Sequence, residues 1–306
     1  MSSIIFMGTP EFAVPALQAL HTGFGVRAVV TIPDKARGRG LNVQPSEVKR
    51  AALDLGIDTI LQPASLKDPA FAETLAALEP DILCVIAFRI LPRTIYTMAR
   101  LGAFNVHASL LPRYRGAAPI NHAIINGDRE SGVTSFLLND VVDTGNILLQ
   151  ERCDVPDGMT AGELYARLMP LAADCAVQTV RMLLDGTTAP ILQLESLASP
   201  APKVFRETSR IDWTKQRHDV RNFIHGLSPV PCAWTHWNGE VLKIYHAAPA
   251  DETCPMGTFR MTPYGLLAGC ADGALLLSEI QTPGKKRMQT TDMLRGYRGP
   301  VEGTFA

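Results

Sequence analysis

The sequence lacks the patterns that mark several common classes of protein. Its six cysteines never form a CxxC pair and most have apolar neighbours, so neither a zinc site nor a disulfide framework is expected. No stretch of eighteen apolar residues occurs, and no basic segment precedes the short apolar run near the N-terminus. These absences predict a cytoplasmic protein with no membrane segment, no metal ion and reduced cysteines.

Nucleotide-binding motifs are absent as well. The turn after the first apolar run reads MGTPEF rather than GxGxxG, and GxxxxGK[ST] occurs nowhere in the chain. Binding of NAD or ATP is therefore not expected.

Strong net charge is also absent, but the charge that exists is unevenly placed. The net charge is −1, made up of +3 in residues 201–306 and −4 in the residues before them. Lys285, Lys286 and Arg287 form a dense basic cluster within the positive part. Such a cluster favours a polyanionic partner, although a solvated charged turn explains it equally well.

Short apolar runs separated by helical stretches fill the first half of the chain. Residues 4–8, 26–31 and 81–88 are β-branched and almost continuously apolar, as buried parallel strands are. Thr9 and Pro10 offer an N-cap and a first-turn proline, and TAGE at 160–163 predicts a capping box for a helix that runs toward residue 185. The alternation of strands and helices predicts an α/β domain with a Rossmann-like, open, mostly parallel sheet.

The composition and the periodicity of the sequence change near residue 190. Residues 190–204 are rich in proline, serine and alanine without a clear period, and short alternating runs separated by turn residues follow. Asn238-Gly239 between two such runs is a strong hairpin signal. We therefore predict a domain at 1–189, a linker at 190–204 and a smaller C-terminal β-barrel domain, OB-like, at 205–306.

Three polar residues are candidates for chemistry. Asn105 and His107 stand two apart, so they share one face of an extended segment. Asp143 stands in an Asp-Thr-Gly turn that could equally be an ordinary hairpin turn. An aspartic protease is excluded, because those enzymes need two carboxylates on an all-β body.

Five separated segments form a combination that is more specific than any one of them. They are MGTPEFAVPAL, PDKARGRG, NVHASLLPRYRGAAP, the DTG about 35 residues later, and APKVFRETSRIDW. Together they resemble one family, the methionyl-tRNA formyltransferases. The Asn-x-His, SLLPxxRG and DTG motifs alone indicate only the wider family that uses 10-formyltetrahydrofolate. The first loop and the C-terminal domain select the enzymes that act on tRNA.

The resemblance implies transfer of a formyl group from 10-formyltetrahydrofolate to the α-amine of methionyl initiator tRNA by a monomer without a metal. Asn105 and His107 would stabilise the developing oxyanion, and Asp143 would orient His107 and help remove the proton of the amine. The folate-binding residues implied are Phe88, Arg89, Ile90, Leu91, Ser109, Leu110, Leu111 and Pro112. The tRNA-binding residues implied are Arg39, supported by Arg37 and Lys35, together with Lys285, Lys286 and Arg287.

Two departures from the family pattern fall near these residues. The segment 87–92 is a residue shorter than in many relatives and carries Arg89, and Val141-Val142 stands where many relatives have Gly-Leu. Three other functions share part of the pattern: a formyltransferase acting on a sugar nucleotide, a folate hydrolase that delivers the formyl group to water, and a non-catalytic RNA-binding module.

Overall fold

The computed structural model describes residues 2–37 and 42–305. It divides into two compact units. The first unit comprises Met1–Gly116, Ser131–Cys153 and Tyr165–Pro200, and the second comprises Ala117–Glu130, Asp154–Leu164 and Ala201–Ala306. Two segments from the first 189 residues, Ala117–Glu130 and Asp154–Leu164, therefore group with the C-terminal part. Domain boundaries drawn at single positions along the chain do not describe this division. The boundaries at 189 and 205 stay a prediction.

The elements up to the middle of the chain alternate between strands and helices. In chain order they are β1 (Ile4–Gly8), α1 (Val14–Phe24), β2 (Val26–Val30), β3 (Lys35–Arg37), β4 (Asn42–Gln44), α2 (Glu47–Asp54), β5 (Ile60–Leu61), α3 (Pro69–Ala76), β6 (Ile82–Ile86), α4 (Arg93–Tyr96), β7 (Gly102–His107), α5 (Pro119–Ile125), β8 (Glu130–Leu137), β9 (Ile147–Asp154) and α6 (Ala161–Asp185).

The remaining elements are mostly strands. They are α7 (Arg217–Gly226), β10 (Ala233–Trp237), β11 (Glu240–Ala250), β12 (Thr258–Thr262), β13 (Gly265–Cys270), β14 (Gly273–Gln281), β15 (Met288–Gln289), α8 (Thr290–Leu294) and β16 (Glu302–Thr304).

One seven-stranded sheet has the order β5-β2-β1-β6-β7-β8-β9. Strands β5, β2, β1, β6 and β7 pair in parallel, and β8 pairs antiparallel to β7. All five residues of β1 and all five of β6 are buried, as expected for strands covered on both faces. The predicted Rossmann-like, mostly parallel sheet is confirmed.

The first helix begins later than its sequence suggested. Glu11–Ala13 form a 3-10 turn, and α1 starts at Val14 without a side-chain cap, so the prediction of Thr9 as its N-cap is wrong. Pro15 explains the shift, because a proline is tolerated in the first turn of a helix but breaks a helix interior. By contrast, the capping box of α6 is confirmed: the Thr160 backbone N–H donates to Glu163 Oε2 at 2.7 Å, and the Glu163 N–H donates to Thr160 Oγ1 at 3.3 Å.

The second sheet is antiparallel. Its order is β10-β11-β14-β13-β12-β16, with β15 paired to β14, and it curls into a partial barrel, as the predicted C-terminal β domain requires. Asn238 and Gly239 have φ of +51° and +80° and join β10 to β11, which confirms the predicted hairpin. Trp213, Trp237 and Phe259 lie in the core of this unit.

No helix within the described ranges, 2–37 and 42–305, combines the length and hydropathy that crossing a bilayer requires.

Candidate active site

The two polar residues of NVH lie at the end of a central strand. Asn105 and His107 belong to β7, where Asn105 is level with Val85 of β6 and His107 with Thr134 of β8. His107 is buried, and Asn105 is partly exposed. In the part of the chain that the structure describes, the Asn105 carboxamide has no hydrogen-bond partner. It is therefore available to a ligand at the strand end.

The two ring nitrogens of His107 have different surroundings. Nε2 lies 2.8 Å from the carbonyl oxygen of Tyr114. Because a carbonyl only accepts, Nε2 must carry a proton and donate it. Nδ1 lies 3.8 Å from Oδ2 of Asp143, beyond direct hydrogen-bonding range. Any proton that His107 exchanges with a substrate therefore passes through Nδ1.

Asp143 is held in the turn between β8 and β9. Its backbone has φ of +58°, in the left-handed region that Asp tolerates better than most residues. Its Oδ2 accepts a hydrogen bond of 2.9 Å from the Gly116 N–H, and only 10% of its side chain is exposed. Two residues on, a Cβ at Gly145 would overlap the backbone carbonyl of Leu137, so the glycine of DTG is required by packing.

A further contact to this turn was missed by the sequence analysis. Gln193 Nε2 donates to the carbonyl oxygens of Asp143 and Gly145, at 2.9 and 2.8 Å. Gln193 lies in the predicted linker, where no periodicity marks a buried position. Only the presence of a single glutamine among leucines could have drawn attention to it.

The loop after β7 contains predicted folate residues, and two of them are buried. Ser109 donates to the Arg113 carbonyl at 2.6 Å, and its own carbonyl accepts from Thr134 Oγ1 at 2.7 Å. Leu111 donates its N–H to Thr134 Oγ1 at 3.0 Å. These two residues shape the loop from inside, whereas Leu110 and Pro112 are partly exposed.

The segment after β6 contains the other predicted folate residues. Leu91 is buried, and Ile90 is 75% exposed. Arg89 donates to the carbonyl oxygens of Pro63 and Ala64 at 2.9 and 3.1 Å, and its guanidinium lies 5.2 Å from the ring centre of Phe88. Desolvation by burial lowers the pKa of Arg89. Arg89 thus fastens this segment to residues 63–64.

The predicted tRNA-binding residues fall in two groups. Lys35 and Arg37 belong to β3, and Arg39 lies outside the described residues. Lys285 and Lys286 are exposed. Arg287 forms an ion pair with Glu279, with Nη2 2.6 Å from Oε2, and the Glu279 hydrogen bond raises the pKa of Arg287. Its guanidinium is therefore already engaged by a carboxylate within the protein.

Within residues 2–37 and 42–305, no three His, Cys, Asp or Glu side chains gather as a metal site would require. The prediction of a metal-free enzyme stays a prediction.

Comparison with known proteins places this chain in a family. The family model described as formyl transferase matches residues 1–180, and the model of the formyl transferase C-terminal domain matches residues 203–298. A curated relative from Chlorobium luteolum, a methionyl-tRNA formyltransferase, is 47% identical over 97% of this chain and 98% of its own length. The chain belongs to the methionyl-tRNA formyltransferase family. The predicted family membership and enzyme class are thereby confirmed.

Solved structures share the fold of this family member. A methionyl-tRNA formyltransferase from Clostridium thermocellum covers 84% of this chain and 97% of its own at 17% identity, with a TM-score of 0.57. The sugar 3N-formyl transferase WlaRD, solved in the presence of dTDP and 5-N-formyl-THF, covers 94% of this chain and 99% of its own at 19% identity, with a TM-score of 0.68. The sugar enzyme has the higher TM-score, but at identities below 20% both likenesses concern the fold alone. The family is decided by the 47% identity to the curated methionyl-tRNA formyltransferase.

Proposed function

We propose that the protein transfers the formyl group of 10-formyltetrahydrofolate to the α-amine of methionyl initiator tRNA, with Asn105, His107 and Asp143 at the reacting centre. Formyl transfer to methionyl-tRNA, which supports translation initiation, is the activity of the family to which the chain belongs. The observation that carries the site assignment is that β7 holds both Asn105, whose amide has no partner among the described residues, and His107, whose Nδ1 lies 3.8 Å from Asp143 Oδ2.

The residues have the chemistry that this transfer needs. Attack of a neutral amine on a formyl carbon develops negative charge on the formyl oxygen, and donors must converge on that oxygen. The Asn105 amide supplies one donor. His107 supplies another through Nδ1, because its Nε2 proton is held by Tyr114. A ring protonated on both nitrogens is a cation, and the neighbouring Asp143 carboxylate balances its charge.

The attacking amine must also lose a proton. Asp143 Oδ2 accepts a hydrogen bond from the Gly116 N–H, which leaves its remaining lone pairs for the amine proton, directly or through water. When the tetrahedral intermediate collapses, the bond between the formyl carbon and N10 of the folate breaks and N10 takes up the proton that the amine gave up, so no covalent enzyme intermediate is required. In the described residues the buried thiols of Cys84 and Cys175 have pKa values raised by desolvation, which suits packing rather than nucleophilic attack.

The ends of β6 and β7 suit a pterin. Residues 88–91 make no backbone hydrogen bond to any described residue, so their N–H and C=O groups can read the polar edge of the ring. Apolar surface is exposed close in sequence to the reacting groups, at Ile90, Val141 and Val142. Phe88, Arg89, Ile90, Leu91 and the loop of Ser109, Leu110, Leu111 and Pro112 would hold the folate, which supplies the formyl group.

The acceptor would be bound by basic residues. Arg39, Arg37 and Lys35 would contact the acceptor end of the tRNA, and Lys285 and Lys286 would contact phosphates. The ion pair of Arg287 with Glu279 makes its contribution to phosphate binding the smallest of the three residues in the cluster. We expect a cytoplasmic monomer that needs no metal.

One assay tests the function against its rivals. The protein is incubated with 10-formyltetrahydrofolate and methionyl initiator tRNA, and formyl-methionyl-tRNA and free formate are measured. We expect formyl-methionyl-tRNA. Formate alone would indicate a folate hydrolase. If neither product formed, a dTDP-amino sugar in place of the tRNA would test for a sugar formyltransferase, and failure of both acceptors would favour a binding module.

A further inference from the structure

Gln193 is buried in a segment whose apolar residues are exposed. Gln193 is 5% exposed, whereas its neighbours Leu192 and Leu194 are 73% and 60% exposed. This arrangement inverts the ordinary preference, in which leucine is buried and glutamine faces water. Burial of a carboxamide is unfavourable unless its hydrogen bonds are satisfied, so the contacts of Gln193 must explain its position.

All the polar hydrogens of this carboxamide are engaged. Nε2 donates to the carbonyl oxygens of Asp143 and Gly145, at 2.9 and 2.8 Å. Oε1 accepts from Nε and Nη2 of Arg115, at 3.1 and 2.9 Å. A glutamine amide has two N–H donors and one carbonyl acceptor, and here both donors and the acceptor have partners. No other neutral side chain of the same length supplies that combination.

These contacts close a ring around the catalytic carboxylate. The Gly116 N–H donates to Asp143 Oδ2, and the Asp143 carbonyl accepts from Gln193. Gln193 in turn accepts from Arg115, which is bonded through the chain to Gly116. Gln193 therefore holds the backbone of Asp143 directly. It also holds Arg115, the neighbour of Gly116, and the Gly116 N–H in turn holds the Asp143 side chain.

We propose that Gln193 is a positioning residue that sets the orientation of the Asp143 carboxylate toward Nδ1 of His107. The proposal rests on the proposed function, in which Asp143 acts at the reacting centre. Asp143 has a left-handed backbone, which costs energy and persists only where neighbouring contacts determine it. Without the two donors of Gln193 the turn relaxes, and the carboxylate leaves its place 3.8 Å from His107.

The segment 191–195 thereby supports the candidate active site through contacts within the protein. Ile191 exchanges two backbone hydrogen bonds of 2.8 Å with Ile147, the first residue of β9, which anchors the segment beside the turn. Beyond Gln193, Glu195 is 74% exposed and pairs with Arg115 Nη1 at 2.9 Å. Among the described residues, the side-chain hydrogen bonds and ion pairs of this segment thus go to the Asp143 turn or to Arg115.

The test compares Gln193→Met, which keeps the length of the side chain and removes its hydrogen bonds, with Gln178→Met. Gln178 is an exposed glutamine of α6 that donates to Glu151 at 3.1 Å, and its replacement should leave kcat unchanged. We expect Gln193→Met to lower kcat by about tenfold or more, because small misplacements of catalytic groups carry such costs. KM for both substrates and the Kd of tetrahydrofolate should stay within about threefold, since Gln193 is buried and its carboxamide is bonded within the protein.

A pH profile separates positioning from general destabilisation. When kcat is expressed per folded protein at each pH, measured by circular dichroism, partial unfolding leaves the profile unchanged, whereas displacement of Asp143 from His107 changes the pH dependence of kcat. We expect the kcat profile to shift in Gln193→Met and to keep its wild-type form in Gln178→Met. Gln193→Glu provides a second variant, which keeps an acceptor for Arg115 and replaces the two donors, and we expect the same shift.

The outcomes distinguish this proposal from the proposed function. If wild type makes no formyl-methionyl-tRNA, the proposed function fails. If wild type is active and Asp143→Asn is inactive, but folded Gln193→Met and Gln193→Glu have wild-type kcat and pH profile, then the positioning role alone is overturned. A fall in kcat that follows the loss of folded protein, with an unchanged pH profile, would also overturn it.

Discussion

His107 Nδ1 lies 3.8 Å from Asp143 Oδ2, while His107 Nε2 lies 2.8 Å from the Tyr114 carbonyl oxygen. The second contact fixes which nitrogen carries a proton, so the first identifies the nitrogen that can take part in chemistry. A separation of 3.8 Å is too long for a direct hydrogen bond but within the range of an ion pair. The imidazole and the carboxylate therefore lie next to each other at the end of β7, as the proposed mechanism requires.

Loss of any reacting group should lower turnover with the fold intact. We expect Asn105→Ala, His107→Ala and Asp143→Ala each to reduce kcat by about 10²-fold or more, because each group acts where charge develops or a proton moves. Asp143→Asn isolates the charge, since Asn tolerates the same left-handed backbone. Single-turnover rates measure the loss of catalysis, and circular dichroism checks that the fold is retained.

The control for these variants is Asp58→Ala, which removes a carboxylate from an exposed position. It should have wild-type kcat. Near-normal turnover in one of the three site variants would remove that residue from the mechanism.

The loop after β2 should affect the use of the acceptor, methionyl-tRNA, and not the binding of the folate donor. Arg39→Ala should lower kcat/KM for methionyl-tRNA by about tenfold, the cost of one charge-assisted contact. Binding of tetrahydrofolate, measured by calorimetry, should change little. Arg181→Ala removes an exposed arginine from α6 and should leave both quantities unchanged. An equal loss of folate affinity in Arg39→Ala would show that the loop serves the donor.

The basic cluster should act through phosphates. Replacing Lys285, Lys286 and Arg287 by alanine should weaken the binding of initiator and other tRNAs by a similar factor. The slope of log K against log salt should flatten by roughly 0.7 to 0.9 for each phosphate that is no longer neutralised. Because Arg287 is paired with Glu279, the double variant Lys285→Ala, Lys286→Ala should reproduce most of the change. If the triple variant kept its tRNA affinity and its salt dependence, the cluster would be a solvated turn without a role in tRNA binding.

Local rules explain what the sequence predicted well. The strands at 4–8 and 82–86, the Thr160–Glu163 capping box and the Asn238-Gly239 turn are each determined by residues within a few positions of one another. Each of these features requires particular residue types at particular positions: apolar residues where both faces of a strand are buried, a capping pair at a helix start, and Asn-Gly in a left-handed turn. The Asn105 and His107 pairing was predictable for the same reason.

Contacts between distant residues explain what was missed. Gln193 reaches Asp143 across 50 positions, and Arg89 reaches Pro63 across 26. Neither contact produces a period or a motif, so a polar residue in a linker or an arginine after a strand gives no local signal. Arg287 is a further example, because the sequence does not reveal its ion pair with Glu279. Without knowing such internal partners, one cannot tell which charges of a basic cluster are available to bind a ligand.

The glycine of DTG should be irreplaceable. A Cβ at Gly145 would overlap the Leu137 backbone carbonyl, which cannot move without disturbing β8, so Gly145→Ala should cost about 1–3 kcal/mol and displace the Asp143 turn. We expect a lowered melting temperature and a loss of kcat. Gly23→Ala is the control, because its Cβ meets nothing within 4 Å inside α1, and it should stabilise by about 0.5–1 kcal/mol. Wild-type kcat in Gly145→Ala would contradict the packing argument.

The second unit contains a buried histidine that should make stability depend on pH. His225 is 2% exposed, its Nε2 accepts from the Ala247 N–H at 3.2 Å, and its ring stacks on His246 at 4.6 Å. Desolvation by burial, followed by the charges of His246 and Arg221, lowers the pKa of His225 from 6.5 to about 4, against the opposing effects of the Ala247 backbone hydrogen bond and of Glu163. Protonation would add an unfavourable buried charge.

The unfolded chain therefore takes up a proton at pH 6.5 that the folded chain resists until about pH 4. The stabilisation from neutral His225 is fully present above pH 6.5 and is lost as the pH falls toward 4, by about 3 kcal/mol at 1.36 kcal/mol per pKa unit. His225→Phe should lower stability at about pH 7.5 but flatten its fall between pH 6.5 and 4, measured as urea-unfolding free energy at each pH. His218→Gln, at an exposed histidine, should keep the wild-type slope. An unchanged slope in His225→Phe would assign the acid sensitivity to other groups.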